Sequence, residues 1–75
     1  MTPRMRDVLI AFQKSVAEVR DAEAAHAREL EDCRKRQVSP LVVMRMVTKT
    51  RDAAIQRMNR AAAHVLHQAE IEPTA

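Results

Sequence analysis

Not one of the 75 residues is glycine. Glycine reaches positive φ without steric cost, so tight β-hairpins, bulges and phosphate-cradling loops are built on it. A chain without it is a poor candidate for a hairpin-rich sheet, a P-loop or a dinucleotide fold. Strong helix formers (Ala, Arg, Glu, Gln, Met and Leu) fill the sequence instead, and Phe12 is its one aromatic residue. An all-α fold follows, and at this length it is a single domain, 1–75, close to the lower size limit for independent folding.

Three prolines punctuate the chain. Thr2-Pro3 and Ser39-Pro40 each read as an N-cap followed by proline at the first helical position. Pro73 disfavours helix at the residue before it. The sequence therefore predicts one helix over about 3–36, a short turn at about 37–39, a second helix over about 40–71, and a disordered tail at 73–75.

Apolar residues on the first helix recur at alternating spacings of four and three, the coiled-coil pattern. They run Met5, Leu9, Phe12, Val16, Val19, then Glu23 and His26, then Leu30 and Cys33. The second helix offers Leu41, Met44, Thr48, Arg51, Ile55, Met58, Ala62, Val65 and Ala69, with a further stripe at Val43, Val47, Ala54, Ala61 and Leu66. A short loop makes the helices antiparallel neighbours, so facing residues have numbers summing to about 77. Cys33 then faces Met44, Val19 faces Met58, and Phe12 faces Val65 beside a run of three alanines. The polar interruptions fall opposite one another. Glu23, His26, Thr48 and Arg51 are expected to form a polar layer that fixes register, with an ion pair between Glu23 and Arg51.

Charge supports the same alignment. Residues 18–32 hold six carboxylates against two arginines, whereas residues 45–60 hold five cations against Asp52. Individual surface pairs contribute little, but together they disfavour slipped alignments.

A lone pair of helices buries one stripe of each, and this chain carries more apolar surface than that. The segments Val8–Phe12 and Leu41–Val47 are apolar nearly all round. Such turns are buried on every side or form an interface. A homodimer is expected in which the hairpins pair into a four-helix bundle, the turn end of one against the open end of the other. Ile10, Val42, Val43 and Met46 are the expected partner-binding residues, because they lie outside the intramolecular seams.

Little in the sequence suggests chemistry. His64 and His67 share a helix face at i, i+3, but nothing nearby completes a metal-ligand set. Cys33, the single cysteine, sits at a seam position and is expected to fill the core. No metal, cofactor or catalytic residue is expected, and the protein is not expected to be an enzyme. One cysteine makes no internal disulfide framework, and the five-residue run Val8–Phe12 is too short for a signal peptide or a membrane span, so a cytoplasmic location is expected. Arg34, Lys35, Arg36 and Arg45 form a basic tip that is the candidate contact to RNA or DNA. A net charge of +3 and the lack of stacking aromatics weigh against it.

In architecture alone, the chain resembles the small helical-hairpin dimers encoded by plasmids and phages. These include Rop-type copy-control proteins that bind RNA loops, anti-activators that sequester a transcription factor, and small co-chaperones of type III secretion. No motif transfers residue by residue. The resemblance implies a small regulator that binds and modulates a host or cognate protein, for example as an inhibitor. The alternatives are a Rop-like nucleic-acid-binding hairpin and a structural adaptor or secretion co-chaperone.

Overall fold

The structure is a computed structural model that describes residues 2–72, the side chains of Val42 and Val43 excepted. The tail expected at 73–75 lies outside the described residues. Two antiparallel α-helices make the fold: α1 (Pro3–Arg36) and α2 (Pro40–Ile71). They form a rod of 58 × 15 × 14 Å.

The helix ends follow from local chemistry. Thr2 caps α1, its hydroxyl oxygen accepting from the Met5 N–H at 3.2 Å, with Pro3 in the first turn. Ser39 caps α2 by accepting from the Leu41 N–H at 3.4 Å. Arg34, Lys35 and Arg36 occupy the last turn of α1, where cations favour the negative end of the helix dipole. Gln37 then turns into the left-handed region at φ 55°, ψ 38°. Its N–H donates to the Arg34 carbonyl at 3.2 Å, and the Val38 N–H donates to the Cys33 carbonyl at 3.1 Å. This pair of bonds is a Schellman closure, a role usually filled by glycine and taken here by glutamine.

The helices meet along a seam centred on Met5, Phe12, Val19, His26 and Cys33 of α1 and on Met44, Arg51, Met58 and Val65 of α2, all buried or half-buried. The expected four-three pattern is right at these positions; Leu9, Val16, Thr48, Ile55 and Ala62 are half-buried, and the remaining expected members are rotated away. The deepest flanks are Ser15 and Ala22 on α1 and Ala54 and Gln68 on α2. Leu30, expected in the seam, is 41 % exposed; Leu41 is 83 % exposed, and Ala69 and Glu23 are also exposed. Side-chain size explains the rotation. Ala22 and Ala54 let the two backbones approach, and the larger Val19, Ile55 and Met58 pack around them. Ser15 is buried without cost to its hydroxyl, which donates to the Phe12 carbonyl at 2.6 Å.

Cys33 is almost completely buried and Met44 nearly so, closing the seam beside the turn. At the open end, the Glu72 N–H donates to the Gln68 carbonyl at 2.9 Å and ends α2.

Candidate interaction surface

The rotation gives the hairpin two unlike long sides. One is polar. There Ala22, Ala25 and Ala54 floor a shallow groove walled by Glu18, Asp21, Thr50 and Arg57. Arg57 Nε donates to Glu18 Oε2 at 3.0 Å across it, the one ion pair between the helices among the described residues.

The other side is largely apolar. Near the turn it forms an open groove of about 450 Å³ lined by Leu30, Leu41, Met44 and Pro40, with Arg45 and Lys49 on its rim. Toward the open end it continues through the half-buried Leu9, Val16 and Ile55. Helical periodicity places these residues on this side, since Leu9, Val16, Glu23 and Leu30 repeat every seven positions, as do Leu41, Thr48 and Ile55.

A polar band interrupts the apolar side. His26, Thr48, Glu23 and Arg51 all lie there, His26 and Thr48 on the turn-end groove and Glu23, His26 and Arg51 around a second cleft with Ile55. Arg51 Nη1 and His26 Nε2 are 3.5 Å apart, which brings the guanidinium and the imidazole together across the seam. The expected Glu23–Arg51 ion pair is not formed. Arg51 turns instead to Asp52, the next residue, at 3.5 Å, and its Nε is buried with no partner among the described residues. Glu23 sits on the flank rather than the seam and makes no hydrogen bond or ion pair among those residues.

The other residues singled out from the sequence are dispersed. Met46 is 74 % exposed near the turn, whereas Ile10 is 41 % exposed near the open end of the other helix. They do not form one patch within a single hairpin. The side chains of Val42 and Val43 lie outside the described residues. In the basic tip, Arg34 pairs with Glu31 at 3.5 Å and Arg36 with Asp32 at 3.0 Å, while Lys35 and Arg45 are exposed. His64 and His67 are exposed, and no cluster of three metal-ligating side chains exists among the described residues. No described helix is long and apolar enough to cross a membrane.

Leu66, expected in the second apolar stripe of α2, is 67 % exposed, and with Ile71 it adds apolar surface toward the open end. Glu72 lies near the open end, where the Thr2 side chain, and after it the Gln68 amide that hydrogen-bonds it, hold its carboxylate's pKa below the ordinary value. The surroundings of Ile71 and Glu72 have no spacing signature, because they depend on how the helix ends meet in space. No protein-family model, curated protein or solved structure matches the chain.

Proposed function

We propose that this protein is a non-catalytic interaction module: a self-associating helical hairpin that binds another protein through apolar side chains its own fold leaves uncovered, and so modulates that protein. The observation that carries the reading is the exposure of large apolar residues, Leu41 at 83 % and Met46 at 74 %. A methionine is unbranched and polarizable, which suits it to packing against a partner's helix. The shallow grooves give chemistry no enclosed place to occur, which favours binding over catalysis.

The test is cross-linking in the source cell, followed by mass spectrometry, with wild-type protein and Met46→Lys compared. The variant should keep its helical circular dichroism and lose the partner that the wild type captures. Equal capture by both, or capture of nothing except further copies of the chain, would overturn the reading.

A further inference from the structure

We propose that the apolar side of the hairpin is covered by a second copy of the chain, with both turns at the same end, so that Glu23 of each copy meets Arg51 of the other. The inference rests on the interaction-module reading and names the occupant of one of its surfaces.

Area argues for an occupant of this size. A compact monomer of 8.5 kDa would expose roughly 4,700 Å² by the usual scaling of surface with mass. The hairpin exposes 6048 Å². The surplus, on the order of 1,300 Å² per chain, falls within what a permanent homodimer buries on each partner. The shape agrees: the radius of gyration is 17.0 Å, against about 11 Å for a compact chain of this length.

Sidedness chooses the face. The side holding Glu18, Asp21 and Arg57 is already solvated and ion-paired. The opposite side presents Leu30 and Leu41 to solvent. Laying two such sides together produces a four-helix bundle whose apolar centre is broken by the one polar band.

Charge chooses the orientation. Two-fold arrangements of stacked hairpins place the turns either together or at opposite ends. With the turns at opposite ends, as the sequence alone suggests, α1 lies antiparallel over α1 and α2 over α2. Centring that pairing on the rod sets Glu23 near the level of Val16, which leaves a desolvated carboxylate unpaired. Sliding it until the polar bands coincide brings Glu23 within one turn of its own copy and Arg51 within one turn of its own, so like charges become neighbours. With the turns together, α1 of one copy lies over α2 of the other at equal height. Leu30 then lies at the level of Val47, with Leu41 nearer the turn, and Glu23, which lacks an ion-pair partner within the described hairpin, comes within one helical turn of the guanidinium whose Nε is unsatisfied. This arrangement alone gives each charge in the band an opposite one. It also brings the two basic tips together, where Glu31 and Asp32 already neutralise Arg34 and Arg36.

Light scattering on the wild type should give the mass of two chains. Glu23→Arg and Arg51→Glu should each weaken the dimer at least about tenfold, as expected for opposed like charges in a desolvated seam. The double reversal should restore it, with helicity unchanged throughout. In a Cys33→Ala background, spin labels at Gln37→Cys should lie about 10–20 Å apart, as packed helices require. A separation close to the 58 Å length of the rod, a monomeric mass, or a double reversal that restores nothing would each overturn the proposal. A monomer whose partner is still lost on Met46→Lys would sink this inference together with the self-association it builds on, and leave the binding of another protein standing. A turn-aligned dimer indifferent to Met46→Lys would do the reverse.

Discussion

Arg57 donates its Nε to Glu18 across the polar side of the hairpin at 3.0 Å, and both side chains are about half exposed. The acidic part of α1 and the basic part of α2 thus meet in one direct bond, although their sequences hold many more charges. Water screens such a pair, so its contribution is expected to be about 0.2–1 kcal/mol. Glu18→Gln and Arg57→Gln should each lower stability by that amount, and the double variant by little more than either. Urea unfolding at low and high salt checks this. A pair whose coupling persists at high salt is not a surface ion pair of this kind.

Ala54 is 1 % exposed and faces the layer of Ala22 and Val19. A larger side chain there must push the helices apart. Ala54→Leu is therefore expected to lose about 1–3 kcal/mol, the usual cost of overpacking, although leucine is the more hydrophobic residue and nearly as good a helix former. Thermal unfolding followed by circular dichroism measures the loss. If Ala54→Leu melts at or above the wild-type temperature, the close approach of α1 and α2 at this layer is wrong.

These two sites show what the sequence made legible. The helix limits could be read because caps and prolines act locally: Thr2-Pro3 and Ser39-Pro40 mark their starts without reference to the rest of the chain. The meeting of His26 with Arg51 could be read because a short turn leaves little freedom in register. The rotation of each helix about its own axis could not. Leu9, Val16 and Leu30 form as good a seven-residue stripe as Ser15 and Ala22, and a hydrophobicity pattern favours the bulkier one. Close approach of two backbones favours the smaller. The misplaced Glu23–Arg51 pair follows from the same rotation, since it moves Glu23 off the seam.

Gln37 is the one described residue with positive φ, at 55°. For a residue with a Cβ this conformation costs roughly 1–2 kcal/mol relative to glycine. The Schellman bonds from Gln37 and Val38 need only the backbone, so glycine would make them equally well. Gln37→Gly should therefore stabilise the hairpin by about 0.5–1 kcal/mol, the added entropy of the unfolded chain offsetting part of the relief. Denaturant midpoints of the two proteins, with unchanged slope, test it. A loss of stability would mean that the glutamine side chain contributes something beyond its backbone shape.

Glu72 lies near the open end, and its titration has a definite sign. The Thr2 side chain, and after it the Gln68 amide, favour the carboxylate, so the folded pKa lies below the ordinary value of 4.5. A group depressed on folding adds stability that is fully present above its unfolded pKa and is lost as pH falls through the folded value. Acidification below the ordinary carboxylate range should therefore loosen the open end while the turn end, closed by the buried Cys33 and Met44, holds. Amide hydrogen exchange in the last turn of α2 should accelerate first. Glu72→Gln should abolish that acid-dependent step and leave the end equally frayed at neutral and acid pH. Exchange in the last turn that ignores pH in the wild type, or that depends on it equally in Glu72→Gln, would place the acid-sensitive contact elsewhere in the hairpin.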